Sequence, residues 1–374
     1  MLGQERAKLL LTAAFAPDRI GHAYLFAGPD GVGKTLLAQE SAKALLCRGD
    51  GPRPRVRSVL RTACGTCPDC RLFAHDGHPD FLLLEPQGDS RVIKIEQIRD
   101  LIHTLSLMPV QGNRRVAIIR DADALQEPAA NALLKTLEEP PSFALLILTS
   151  SRPRALLPTL RSRCQEIRFE RLSAEHVRAI LESSSSPAVA PALRSSAASV
   201  GEEEAELRRA GRAGLDEEDV AAAVRLADGS ADRALQLIES GCLEIRRKTL
   251  ARVLALPAED VFEIADDVLD WARAAGKPLE PQRERLRAFF HMLESVYRDI
   301  MVRTIGEGKE DQLRAAAPPL GVEAAPQLPP RRLLDIEEAV WDARRQTDAN
   351  VTLELVLQDL FERIARRQRA AHST

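Results

Sequence analysis

Three groups of residues have the types and spacing that chemistry requires. The first is Gly28-Pro29-Asp30-Gly31-Val32-Gly33-Lys34-Thr35, the G-x4-G-K-T pattern of a phosphate-binding loop. Its glycines let backbone N–H groups converge on an anion, and a helix beginning at its end adds a positive pole. Lys34 would reach the β- and γ-phosphates and Thr35 would ligate Mg²⁺. The second group is Cys64, Cys67 and Cys70, with Cys47 upstream across a sixteen-residue gap. Four thiolates suit tetrahedral Zn²⁺, and a filled ligand set leaves no place for water, so a structural role is expected. A redox C-x-x-C is the alternative, although it needs only two cysteines. The third group is "VAIIRDADA" at 116–124. An apolar strand running into acids, downstream of a phosphate loop, is where an ATPase keeps its magnesium-binding acid. Here the residue after the strand is Arg120.

These residues need elements to hold them. A β-rich run, Ala23 to Ala27, enters the phosphate loop and an Ala/Leu-rich helix leaves it, which is the setting the motif demands. A motif shows only what can bind, so an inherited fold with an idle pocket remains an alternative. Downstream, Leu133, Leu134 and Leu137 mark a helix that stops at Pro140-Pro141, and Ala144 to Leu148 reads as a buried strand followed by Thr149-Ser150-Ser151. Strands alternating with helices through residue 168 predict a parallel sheet with helices on both faces. After Phe169 the chain turns helical, starting at "SAEHVRAIL" with Ser173 as N-cap. A loop-rich insertion at about 183–214 follows, then more helix, a Pro/Ala-rich stretch at 315–330, and a last helix with Val351, Leu355, Leu360 and Ile364 at mostly helical spacing.

In combination, "HAYLFAGPDGVGKT", the four cysteines, "NALLKTLEEPP" at 131–141 and "LLPTLRSRCQ" at 156–165 resemble the clamp-loader branch of the AAA+ ATPases. "GQE" at 3–5 agrees, and "GSADRAL" at 229–235 and "NVTLELVLQDL" extend the likeness more weakly. The resemblance implies an α/β AAA+ P-loop domain at 1–168 with a zinc knuckle inserted at 47–70, a small helical lid at 169–242 and an all-α collar at 243–374.

In ATP-hydrolysing members of that family, the strand before the NALLKTLEEPP helix ends in an Asp-Glu pair, one acid for Mg²⁺ and one to activate water. Counted back from Leu125 and Asn131, those places fall on Arg120 and Asp121. Replacing an anion by a cation reverses an attraction of about 3 kcal/mol per unit-charge pair at ~5 Å and an effective dielectric of ~20. A one-residue shift would give Asp121 the metal role and put Ala122 where the catalytic acid belongs, so hydrolysis suffers in either alignment. The resemblance also makes Ser162-Arg163-Cys164 an arginine-finger triplet, with Arg163 reaching a neighbour's γ-phosphate. Thr149 would be a sensor of bound nucleotide and Arg233 a second one.

The implied protein lends an arginine and does not turn over ATP. Its partners would be the loader's motor (tau/gamma) and delta subunits, the sliding clamp, and primed DNA within the complex. A self-sufficient AAA+ motor is the competing enzyme, which Arg120 argues against. A zinc-bearing DNA-binding module is the third reading, and no aromatic-interleaved basic patch supports it.

The bulk composition agrees with this frame without deciding it. The 374 residues suggest two or three domains, with 45% hydrophobic, 4% aromatic and 29% charged residues and a net charge of -3. Residues 1–168 hold 23 Lys and Arg against 18 Asp and Glu, and the remainder 29 against 37. A front end this mildly basic can sit near phosphates or simply be solvated. No apolar run approaches membrane-spanning length. The start imitates a signal peptide, but Glu5 interrupts the charged region, and Leu2, Leu9, Leu10, Ala13 and Ala14 suit one face of a first helix. Clustered cysteines fit metal in a reducing cytoplasm better than secreted disulfides, and Cys164 and Cys242 are isolated.

Overall fold

The structure, a computed structural model, describes residues 2–15, 20–49, 62–75, 77–87, 92–184, 217–256, 259–276, 279–305, 328–348 and 351–369. Most of the gap between Cys47 and Cys64 lies outside the described residues, as do most of the 183–214 insertion and of the 315–330 stretch. The chain divides into two compact units. One comprises residues 1–197 with Gly229–Asp232, and the other residues 198–228 with Arg233 onward.

The first unit alternates as the sequence pattern requires: α1 (Glu5–Ala14), β1 (Ala23–Ala27), α2 (Lys34–Leu46), α3 (Pro68–Ala74), β2 (Phe81–Leu84), α4 (Ile95–Ser106), β3 (Arg115–Ile119), α5 (Glu127–Glu138), β4 (Ala144–Ser150), α6 (Pro158–Arg161), β5 (Gln165–Arg168) and α7 (Ala174–Ser184). All strand pairs are parallel, in the order β2-β3-β4-β1-β5. The central strands β3, β4 and β1 are covered on both faces, which is why they read as near-continuous apolar runs, whereas the edge strand β5 is mostly polar. Side chains alternate between those faces. Leu25, Ala117, Ile119, Leu146 and Leu148 pack with Leu101 of α4 and Leu133 and Leu137 of α5. Tyr24, Phe26, Val116, Ile118, Leu145 and Ile147 pack with Leu11 of α1 and Leu37, Ala38 and Ala42 of α2. This is a parallel α/β sheet with helices on both faces and a phosphate loop after its first strand, followed by a helical C-terminal part.

The register brings the strand ends to common edges. Leu84 lies beside Ile119, Ile119 beside Leu148, and Ala27 beside both Ser150 and Arg168. One edge therefore carries everything that follows a strand, which is where ligands of open parallel sheets bind. The opposite edge carries what precedes β4 and β5, namely Glu138 and Arg163.

α1 buries a different face from the one expected. Ala7 and Leu11, spaced i and i+4, are buried, whereas Leu2, Leu9 and Leu10 are exposed. The helix rests on the sheet through Ala7 and Leu11 together with the part-buried Ala14, which is the residue of the expected set that packs there, and a short helix with so many leucines cannot bury them all.

In the second unit the helices are α8 (Glu217–Leu226), α9 (Ala231–Glu239), whose first two residues cluster with the first unit, α10 (Cys242–Leu254), α11 (Val261–Arg273), α12 (Leu279–Ile305), α13 (Pro330–Asp348) and α14 (Leu353–Arg369). Their core is built on Phe289, Phe290, Leu293, Tyr297, Leu357 and Phe361. On α14 the buried set includes Leu353, Val356, Leu357, Leu360, Phe361 and Ile364, so Leu360 and Ile364 face inward as expected. Leu355 is exposed and Val351 precedes the helix, because the apolar stripe is set by the helix beginning at Leu353. Among the described residues, no helix is long and apolar enough to cross a membrane.

Candidate functional site

The phosphate loop leaves β1 at Ala27 and enters α2 at Lys34. Gly28 has the carbonyl of Phe169 so close that an added Cβ would sit 2.4 Å from its oxygen. Gly33, at φ 94°, makes the left-handed turn into α2 that a side chain disfavours. Lys34 is only 5% exposed, and its ammonium donates to the loop's own carbonyls, Gly28 O at 2.8 Å and Pro29 O at 2.6 Å. Asp30 Oδ1 lies 3.7 Å from the same nitrogen. Burial pushes the Lys34 pKa down, while Asp30, Asp121 and Asp123 oppose that shift. The Gly31 carbonyl is also occupied, accepting from the Ala231 N–H at 3.0 Å. Thr35 is half-buried in the first turn of α2.

At the end of β3 the Arg120 main chain still pairs with β2, donating to Leu84 O. Its guanidinium lies 2.9 Å from Glu85 Oε1 and 3.6 Å from Asp121 Oδ2. Asp121 adopts a left-handed backbone, φ 48°, and its N–H donates to Thr149 Oγ1 at 3.1 Å. The buried Thr149 hydroxyl is thus committed to the neighbouring strand end. Asp123 is an acid of this edge that the family count passed over. Its Oδ1 accepts from Ser150 Oγ and the Ser151 N–H, and its Oδ2 from Arg152. Burial alone would raise the Asp123 carboxyl, but the bonds from Ser150 and Arg152 outweigh it and hold the group below the usual range. The signal was present in the sequence as the second acid of "DAD", but its partners lie 27 to 29 residues away.

Arg163 sits at the other edge, between α6 and the start of β5. Its Nη2 lies 2.6 Å from Glu138 Oε1, and Nη1 donates to Thr159 O at 2.8 Å and Ser162 Oγ at 3.4 Å. Strand β5 runs from this edge to Arg168, beside Ala27 at the phosphate loop. The length of the sheet therefore separates Arg163 from its own loop, at about 3.3 Å per strand residue. Cys164 packs against the sheet core, and burial pushes its thiol up to about 12. Arg233 lies in the first turn of α9 and clusters with the second unit.

The four cysteines converge. Cys47 caps the end of α2, Cys67 is the N-cap of α3, and Cys70 lies within α3. Their sulfurs all fall within 4.8 Å of one another, with Cys47–Cys64 at 3.6 Å, Cys47–Cys67 at 3.8 Å and Cys64–Cys70 at 3.9 Å. A tetrahedral site with metal–sulfur bonds of about 2.3 Å requires sulfur spacings near 3.8 Å, so the set can hold a metal ion and is consistent with zinc. All four are free thiols. Backbone N–H groups of Cys64, Cys67 and Cys70 point at the sulfurs of Cys47, Cys64 and Cys67, as thiolate ligands need. N–H donation from Thr66 and Cys67 draws the Cys64 pKa down to about 6.

The buried Asp69 anchors this knuckle. It accepts from the Arg48 N–H and guanidinium, and its Oδ1 faces the enclosed His78 Nε2 at 3.7 Å. The His78 Nδ1 accepts from the Asp80 N–H. Asp80, fully buried, takes the N–H groups of Val110, Gln111 and Gly112 and pairs with the buried Arg115 at 3.3 Å.

A family model described as "DNA polymerase III, delta subunit" matches residues 3–173. A DNA polymerase III subunit delta' of Pseudomonas aeruginosa is 43% identical over 143 residues, which cover 38% of this chain and 41% of that protein. The delta' subunit of Bacillus subtilis is 36% identical over 174 residues, 46% of this chain and 50% of that one. Over this stretch the chain is similar to DNA polymerase III delta-prime subunits. The tau subunit of Escherichia coli is 36% identical over 182 residues, 49% of this chain and 27% of that protein. The chain spans about half the length, or less, of the curated relatives it matches. The stretch matched by the family model includes the phosphate loop, the cysteine knuckle and Arg163, while Arg233 and the helical unit lie beyond it.

Proposed function

We propose that this chain is a stator-like, non-hydrolysing subunit of a bacterial DNA polymerase III clamp loader. It lends Arg163 to the ATP site of an adjacent subunit and helps place the sliding clamp on primed DNA. The observation that carries the reading is the position of Arg163 at the sheet edge opposite its own phosphate loop. An arginine there serves a site on another chain. Such fingers stabilise the charge that develops in phosphoryl transfer.

The chain's own pocket supports the same reading. Arg120, paired with Glu85, occupies the place of the metal-holding acid, and Lys34 is satisfied by its own loop. Gly28, Gly33, Lys34 and Thr35 retain the form of a nucleotide cradle, so weak binding of ATP without turnover belongs to the proposal. Thr149 and Arg233 would have served as its sensors. Cys47, Cys64, Cys67 and Cys70 would hold one structural Zn²⁺, which ties the end of α2 to α3. The partners are the motor (tau/gamma) and delta subunits, within a cytoplasmic complex. Residues 169–242 act as lid and residues 243–374 as collar.

The test is a steady-state phosphate assay on the purified chain, with and without motor subunits. The chain alone should show no turnover, and a defined complex with raised ATPase should form on mixing. Turnover by the chain alone that disappears in Lys34→Ala would make it a motor and refute the proposal.

A further inference from the structure

We propose that Glu138 is the positioning residue of Arg163. It holds the guanidinium in the orientation that a neighbour's γ-phosphate requires. The inference rests on the trans-finger reading.

Glu138 is the last residue of α5, and Glu139 follows it. An acid at a helix C-terminus faces the negative end of the helix dipole, so local propensity does not explain it. What Glu138 gains is Arg163, whose Nη2 lies 2.6 Å from its Oε1. The Thr159 carbonyl takes the other terminal nitrogen from the α6 side. Two helices of one unit thus converge on a single guanidinium. A guanidinium offers five donors in a rigid fork, so N–H groups remain to meet an anion.

The exposures suit this use. The Arg163 side chain is 34% exposed and that of Glu138 49%. A pair so placed is solvent-screened and can share its arginine with an incoming phosphate. A free arginine has to be ordered as the transition state forms, whereas one already held is ordered in the folded chain. Losing Glu138 should therefore lower turnover at the adjoining site and leave ATP affinity alone.

The experiment compares loaders reconstituted with full-length wild type, Arg163→Ala, Glu138→Gln, Glu138→Asp and the double variant Arg163→Ala/Glu138→Gln. Scored are kcat and KM for ATP, the thermal midpoint of each free chain, and relaxation of the Arg163 side-chain N–H in the free chain. Glu138→Gln should lower kcat about threefold, the scale of a half-exposed ion pair, with KM and melting unchanged. Glu138→Asp should not rescue, because its carboxylate is one methylene short. The Arg163 N–H should become mobile in both single Glu138 variants. The double variant should be no slower than Arg163→Ala, since the two residues act as one unit.

If Arg163→Ala reduces turnover but Glu138→Gln matches wild type, the finger stands and the positioning role is wrong. A faster Glu138→Gln loader, or losses that add in the double variant, would overturn it as well. If Arg163→Ala itself has no effect, it is the finger reading that fails.

Discussion

The phosphate-loop site and the Arg163–Glu138 pair at the other edge of the sheet hold charge in opposite ways. At the phosphate-loop edge Lys34 and Asp123 are buried and spent internally. Lys34 is 5% exposed and bonds its own loop, and the Asp123 side chain is 6% exposed, bonding Ser150 and Arg152. At the other edge Arg163 and Glu138 meet in a single pair open to solvent. Buried groups that satisfy one another are costly to separate, whereas an exposed pair is worth ~0–1 kcal/mol and exchanges partners readily. The same fold therefore contains a site closed upon itself and an arginine held out. In the proposed function, only the second acts on something outside the chain.

The largest effect that would sharpen this contrast lies in the knuckle, which is held at the end of α2 and, like the phosphate loop, is satisfied within the chain. Zinc in such sites contributes on the order of 10 kcal/mol of apparent folding free energy. Cys67→Ser should lose the metal on elemental analysis and lower the thermal midpoint markedly. Wild-type protein prepared metal-replete yet free of zinc would contradict the assignment.

Next comes Asp80→Ala. It leaves Arg115 buried without its carboxylate and strips three N–H groups of their acceptor, a loss of about 3–5 kcal/mol. Burial alone would raise the Asp80 pKa, but the N–H groups of Val110, Gln111 and Gly112 outweigh it and hold the carboxyl below its ordinary value. Its stabilisation is therefore complete above the unfolded pKa, near about 3.9, and is lost as pH falls through the lower folded value. Denaturant melts should show wild type and variant converging only in strong acid. A constant gap down to the lowest pH would mean the pair stabilises by packing alone.

How much of this was legible in the sequence depended on the separation of the partners. The phosphate loop was readable because its strand, turn and helix are contiguous. The cysteine set was readable because three ligands lie within seven residues. Arg120 was visible against the neighbouring "NALLKTLEEPP". The pairings that hold the charged side chains of each site in place were not visible. Arg163 reaches back 25 residues to Glu138, Arg120 reaches 35 to Glu85, and Arg115 reaches 35 to Asp80. No periodicity encodes such contacts. The face of α1 was misjudged for a related reason, because Ala7 and Leu11 are selected by the sheet beneath them and not by the leucine count.

The central claim is that this chain acts on a neighbour's ATP through Arg163, and one measurement tests it most directly. Loaders assembled with wild type, Arg163→Ala or Arg163→Lys would be scored together for assembly, ATP turnover and clamp loading on primed DNA. Removing a finger can slow a single site by about 10³–10⁵, while the other sites of the ring continue, so total turnover should fall by a fraction and loading by more. Assembly should be unchanged, and Lys should rescue poorly because it lacks the planar fork. Arg163→Ala loaders that assemble, hydrolyse and load at the wild-type rate would contradict the account.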